Sequence, residues 1–183
     1  MSAVVLVDPR DEPTGTLEKL EAHRRGVLHR AVSVFVFDSQ GRLLVQRRAA
    51  GKYHGGGLWT NTCCSHPAPG ETAAAAAERR LFEEMGIRCG LSRAFAFLYR
   101  AHVGEGLIEH EYDHVFVGTS DDDPRPDPDE VADFAWREPR TALAAAIADP
   151  ADWSVWFRLA LAELLGRSGK LPVPSPLGHA SSS

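Results

Sequence analysis

The chain predicts an α/β architecture of the α+β kind, with a mixed and largely antiparallel sheet flanked by helices. Three observations carry that expectation: two β-branched apolar runs joined by a Ser-Gln-Gly turn, two long strand-like segments at the centre, and helix formers confined to one central and two late stretches. Ala31 to Asp38 (AVSVFVFD) is β-branched and aromatic, and Ser39-Gln40-Gly41 leads into Leu43-Leu44-Val45, so these runs read as a hairpin. Glu71 to Met85 is Ala-rich and ends at Gly86, a residue free to adopt the positive φ that closes a helix. Ala94 to Arg100 and Leu107 to Thr119 read as strands, paired antiparallel about a turn at Gly104 to Gly106. Ser120 to Asp129 (SDDDPRPDPD) is too rich in Pro and Asp for regular structure and reads as a surface loop with solvated charges. Val131 to Trp136 resembles a short strand, Pro139 to Ala148 a helix, and Asp152 to Leu165 an amphipathic helix. Residues 1–168 read as one domain and the Pro/Ser-rich 169–183 as a loose tail.

At 183 residues the chain has enough apolar content to bury one core. Its net charge of −5 and its dispersed basic residues argue against a nucleic-acid partner, so any anionic ligand must be held locally. The start, MSAVVLVDPRDE, lacks a basic region and a long apolar core, and no run approaches the roughly 20 residues that span a bilayer. A cytoplasmic protein with no membrane partner is expected. Cys63 and Cys64 are adjacent, where an ordinary disulfide would be strained, and three cysteines cannot all pair, so reduced thiols are expected.

The chemistry concentrates in a few places. TNTCCSHPAPGE, Thr60 to Glu71, places the Cys64 thiol two residues from the His66 imidazole, just ahead of an Arg/Glu-rich helix. In LIEHEYDHVFVGT, Glu109 and Glu111 are two apart on a strand and therefore share a face, which Asp113 shares as a rival ligand. His23 and His29 flank a short basic stretch. Three separated histidines, a carboxylate pair and a thiol suit a metal site beside an acid/base pair. The other histidines (His54, His102, His110, His114 and His179) read as surface or hydrogen-bonded residues, Cys63 and Cys89 as inert thiols, and Trp153 and Trp156, three apart on a helix, as core or interface aromatics taken alone.

From Ser65-His66-Pro67 through Glu71 to Arg79-Arg80-Leu81-Phe82-Glu83-Glu84-Met85-Gly86-Ile87, the loop and helix resemble the Nudix box, a module that binds metal-complexed diphosphates. Two positions depart from its pattern: Ser65 stands where a Gly opens the box, and Arg80 replaces the Glu of an Arg-Glu pair. With TNTCCSHP upstream, PTGTLEK near the start and EHE downstream, the chain from Asp8 to about Leu165 closely resembles the type I isopentenyl-diphosphate isomerases. The resemblance implies a Nudix-like fold and a buried divalent-metal site formed by His23, His29, His66, Glu109 and Glu111. That mixed nitrogen and oxygen set suits Mn²⁺ or Zn²⁺ better than Mg²⁺. It further implies that Glu84 helps bind the Mg²⁺ accompanying the substrate diphosphate, that Lys19, Arg48, Lys52 and Arg80 surround that diphosphate, and that Tyr99 assists at the site.

The implied reaction interconverts isopentenyl and dimethylallyl diphosphates. Moving an isolated double bond means adding one proton and removing another, so an acid, a base and protection for a tertiary carbocation are needed. Cys64 and Glu111 would supply proton transfer, and the ring face of Trp156 would stabilise the cation. The expected partner is this small-molecule allylic or homoallylic diphosphate, bound by a monomer or weak homodimer. Two other readings compete: a Nudix hydrolase of a nucleoside diphosphate derivative, and a non-catalytic diphosphate-binding module.

Overall fold

A parallel pair of long strands forms the spine of the molecule. In the computed structural model, which describes residues 3–52 and 54–167, β3 (His29–Phe37) runs beside β8 (Ile108–Thr119) in register from His29 opposite Glu111 to Phe37 opposite Thr119. On the far side of β8 lies β7 (Leu91–His102), antiparallel, as the two central segments require. β7 runs beyond its expected bounds of 94–100 at both ends, and β8, expected over 107–119, begins one residue later. The tail expected over 169–183 lies outside the described residues.

The chain start contains structure that sequence reading did not anticipate. β1 (Ala3–Val7) and β2 (Pro13–Glu18) form an antiparallel hairpin, and Asp8 Oδ1 closes the turn by accepting from the amides of Arg10 and Glu12. Helix α1 (Lys19–Arg25) follows, capped by the Glu18 carboxylate and stopped by Gly26 at φ +59°. Its seven residues would not persist as an isolated helix. They persist here because Ala22 and His23 are wholly buried against the sheet.

The expected hairpin of 31–38 and 43–45 forms its turn, with Asp38 Oδ1 accepting from the amides of Gln40 and Arg42. Its strands do not stay paired. β4 (Leu43–Arg48) meets β3 only where Leu43 faces Phe37, and then pairs with β5 (Trp59–Thr60) and β9 (Val131–Arg137). β6 (Cys63–Ser65) takes the vacated edge of β3, setting Cys63 opposite Val34 and Cys64 opposite Ser33. Thr62 is the wedge between the diverging strands: its hydroxyl accepts from Val36 N at 2.9 Å and donates to Leu44 O at 2.7 Å. Asn61 adds a bond to Val34 O, and Gln46 Nε2 donates to Thr62 O. The splay thus sets Cys64 and His66 alongside β3, from where the His66 ring reaches Glu111 on β8.

Two helical layers cover the sheet. Helix α2 (Ala73–Met85) packs Ala76, Ala77, Leu81 and Met85 on Val32, Val34, Val36 and Phe116. It starts two residues later than expected, because Thr72 serves as its N-cap while Glu71 bonds Ala68 N and Arg79. Gly86 closes it in the left-handed region, as expected. On the other face α3 (Pro139–Ala148) and α4 (Val155–Arg167) pack Ala142, Ala146, Phe157, Ala160 and Leu161 on Phe35, Val45 and Val115. α3 has the expected bounds, whereas α4 begins at Val155 rather than 152. The acidic loop over 120–129 is irregular but not merely solvated. Its Arg125 and Asp127 amides donate to Met85 O and Glu84 O, satisfying carbonyls that the end of α2 leaves open. Among the described residues, no helix is long and apolar enough to cross a membrane.

If Thr62 holds the splay, Thr62→Val should leave the Val36 amide and the Leu44 carbonyl buried without a partner and lower unfolding stability by about 2–4 kcal/mol. Thr62→Ser, which keeps the hydroxyl, should lose about 1 kcal/mol or less. Urea denaturation distinguishes the two, and equal losses would show that the methyl rather than the hydroxyl matters.

Candidate active site

The pairing of three strands assembles the first row of polar residues. Tyr99 on β7 and His29 on β3 lie opposite Glu111 on β8, and Glu109 follows two residues earlier on the same face. All four are buried. Tyr99 donates to Glu111 Oε2 at 2.6 Å, while His66 Nε2 and His29 Nε2 lie 2.9 and 3.6 Å from Glu111 Oε1. His23, carried inward by α1, places Nε2 3.3 Å from Glu109 Oε2.

The ring nitrogens are oriented by the backbone. His23 Nδ1 donates to Lys19 O at 2.6 Å and His29 Nδ1 donates to Val27 O at 2.9 Å. A carbonyl can only accept, so each Nδ1 carries the proton and each ring turns its Nε2 toward the carboxylates, where a neutral ring would offer a lone pair. Donor atoms of His23, His29, His66, Glu109 and Glu111 all lie within 4.8 Å of one another. This group could hold a metal ion. The buried His29 Nε2 and Glu109 Oε2 have no hydrogen-bond partner, which fits a cation between them. Asp113, the rival ligand, stands outside the set and accepts from Ser33 Oγ at 2.7 Å.

Protonation follows from burial and neighbours. Burial raises the Glu109 carboxyl, but the His23 and His54 rings that face it overturn this and leave it well below the usual range. Glu111 is likewise raised by burial and by Glu109, yet is held below its ordinary value by His29 and His66. Burial, reinforced by the Lys19 charge, drives His66 well below the ordinary imidazole value, keeping it in the neutral form a metal requires. Burial and then Glu111 push Asp113 well up, so it stays protonated. Tyr99 is raised well above its ordinary value by burial and Glu111, and remains a donor.

A cavity of about 240 Å³ opens over this row. Lys19, Arg48, Lys52 and Arg80 line it together with Cys64, Tyr99, Glu84 and Trp156, so the structure brings together the residues singled out in the sequence, with His23 and His29 behind the wall. Arg48 Nη1 donates to Cys64 Sγ at 3.2 Å, and its guanidinium lies 5.4 Å from the Trp156 ring. Burial pushes the Cys64 thiol up to about 11, with Arg48 pulling the other way. Cys63 points into the α2 core instead, and Cys89 is half-buried and packs against the same core. Arg80 bonds Glu84 at 2.7 Å, and Gln46 holds the other Glu84 oxygen at 3.0 Å.

Two residues of the site were not found in the sequence. His54 hydrogen-bonds Glu109 Oε1 at 2.5 Å and is buried. Glu130 pairs with both Lys52 and Arg80 from the end of the acidic loop. Neither sits in a motif or a periodic segment, so no local signal marks it. The remaining described histidines with hydrogen bonds keep the bland reading: His110 bonds Gly26 O, and His114 joins Asp11, which also pairs with Arg30.

The raised thiol gives a prediction. The folded state holds the Cys64 proton more tightly than an ordinary thiol at 9.0, so this contribution to stability is full below pH 9 and fades as pH rises toward 11. Alkylation by iodoacetamide, which requires thiolate, should therefore be slow at Cys64 at neutral pH and climb about tenfold per pH unit up to that range. Peptide-resolved mass spectrometry reads it, and rapid labelling at pH 7 would contradict the desolvated thiol.

Comparison with known proteins accords with this geometry. The family model for the NUDIX domain matches residues 27–157. The Isopentenyl-diphosphate Delta-isomerase 2 of Aromatoleum aromaticum is 54% identical over 158 residues, 86% of this chain and 84% of that protein. The Isopentenyl-diphosphate Delta-isomerase of Pectobacterium atrosepticum is 49% identical over 164 residues, 90% of this chain and 92% of that protein. Among solved structures, DR0079 from Deinococcus radiodurans superposes with a TM-score of 0.75 at 22% identity, covering 88% of this chain and 98% of that one, a likeness of fold alone. The chain belongs to the NUDIX superfamily and, within it, to the isopentenyl-diphosphate Delta-isomerase family.

Proposed function

We propose that the chain is the enzyme that interconverts isopentenyl and dimethylallyl diphosphates, the activity for which its relatives are named. The observation that carries the reading is the Cys64 thiol and the Glu111 carboxylate lining one cavity that Lys19, Arg48, Lys52 and Arg80 also line. Lys19, Arg48, Lys52 and Arg80 hold the diphosphate, with Arg suited to paired contacts with its oxygens. Glu84 contributes to a Mg²⁺ that travels with the substrate. The His23, His29, His66, Glu109 and Glu111 group holds Mn²⁺ or Zn²⁺, with Mg²⁺ the poorer match to nitrogen donors. When bound, that ion offsets the buried negative charge and fixes the carboxylates.

In the forward direction Cys64 gives its proton to the terminal alkene carbon, forming a tertiary carbocation. Glu111, held by Tyr99 and His66, then removes a proton from the methylene carbon on the other side of the cationic centre, and the new double bond forms there. The reverse direction exchanges the roles. Trp156, buried beside the cavity, stabilises the cation by ~2 kcal/mol when water is excluded. The hydrolase reading is weaker because Arg80 stands where a carboxylate would help hold a water-activating metal, and its guanidinium neutralises Glu84. A cytoplasmic monomer or weak homodimer, forming one domain over 1–168, completes the reading.

Incubation with isopentenyl diphosphate in heavy water should give the allylic isomer with deuterium incorporated from solvent. Cys64→Ala should fold and lose activity by about 10²–10⁴-fold. Cys63→Ala should lose some stability from the α2 core but keep turnover. Isomer formed without deuterium, or full activity in Cys64→Ala, would refute the proton-transfer route, and inorganic phosphate release would favour hydrolysis. Glu84→Gln should raise the Mg²⁺ concentration for half-maximal turnover by about tenfold or more while leaving the metal content of the histidine cluster unchanged. Loss of both metals together would contradict two separate sites.

A further inference from the structure

We propose that His54 is a positioning residue that ties the His/Glu cluster to the aromatic wall of the cavity. The inference rests on reading that cluster as a divalent-metal site. His54 Nε2 lies 2.5 Å from Glu109 Oε1, and a carboxylate can only accept, so this nitrogen carries the proton. The other Glu109 oxygen, Oε2, is the one that faces His23. The carboxylate is thus gripped on one oxygen and presented with the other, which is how a residue outside the coordination set orients a ligand. His54 stands outside the five residues whose donor atoms gather within 4.8 Å, so it is not itself a ligand.

The same ring meets the opposite wall. It lies edge-on to Trp156, with centroids 6.0 Å apart and planes at 64°, and 5.1 Å from the His23 ring. The backbone around it is folded for close approach. Arg48 Nη2 donates to His54 O at 3.3 Å, and Gly57 N donates to Arg48 O at 3.0 Å, stitching the loop to the end of β4. Gly55 takes φ +59°, and a side chain at Gly56 would meet Ala50 O at 2.6 Å, closer than carbon and oxygen can approach. The glycines after His54 thus let this loop press its imidazole into the site. A disturbance at His54 reaches both the metal cluster and Trp156.

Two substitutions separate the two contacts. His54→Phe keeps a ring against Trp156 and removes the donor, whereas His54→Gln keeps a donor near the position of Nε2 and removes the ring. Mn²⁺ affinity is measured by competition with a chelator, and folding of the metal-free proteins by circular dichroism and thermal midpoint. We expect His54→Phe to bind Mn²⁺ about 10–100-fold more weakly than the parent and His54→Gln to bind within about threefold of it. Tryptophan fluorescence should shift in His54→Gln more than in His54→Phe. A His54→Phe protein that binds Mn²⁺ as tightly as the parent overturns the proposal, as does a folded His54→Gln that binds no better than His54→Phe. A parent chain that takes up no divalent ion overturns the metal reading itself, and the proposal with it. If His54→Phe fails to fold, His54→Ala is compared with His54→Gln on the same two outcomes.

Discussion

Two carboxylates buried side by side, Glu109 and Glu111, set the constraint on which the rest of the site depends. Each buried charge costs several kcal/mol unless it is met by partners, and both lie under 7% exposed. The structure answers with four imidazoles and a phenol drawn from separate parts of the chain: His23 from α1, His29 from β3, His54 and His66 from the loops after β4 and β6, and Tyr99 from β7. Imidazoles acting as neutral ligands do not cancel that charge. A divalent cation can, and the lone pairs aimed inward by the backbone bonds at His23 and His29 are those such an ion would meet.

The same constraint explains the unusual parts of the fold. A continuous hairpin of β3 and β4 would leave no edge of β3 for the segment that carries Cys64 and His66. The Thr62 hydroxyl, bonded to both strands, holds them apart and lets β6 enter. Gln46 then links that wedge to Glu84 at the α2 end of the cavity, so the thiol and the cation-rich end are mechanically connected through one side chain. The acidic loop completes this end by bonding the last carbonyls of α2 and delivering Glu130 to Lys52 and Arg80.

What could be read from the sequence was what local pattern encodes. The same-face relation of Glu109 and Glu111 follows from strand periodicity, α2 from its composition and its closing glycine, and α3 from the proline at its start. The identity of the ligand and cation sets came from resemblance to a family rather than from spacing. The missed elements lack such signals. β1, β2 and α1 are short and gain their stability from docking on the sheet, which composition does not record. The splay of β3 and β4 depends on one threonine bonding across two strands, and the placement of His54 depends on glycines that permit a tight loop. Glu130 sits beside a run of aspartates and prolines that reads as solvated because nothing local says the loop folds back on α2.

The histidine and glutamate cluster has the donor set of a metal centre. The most direct test is anomalous diffraction from crystals of the full chain grown with Mn²⁺ and recorded on either side of the manganese edge. One strong anomalous peak is expected within coordination distance of Nε2 of His23 and His29, a ring nitrogen of His66, and oxygens of Glu109 and Glu111. A cluster without anomalous density under those conditions, or density confined to other residues, would contradict it.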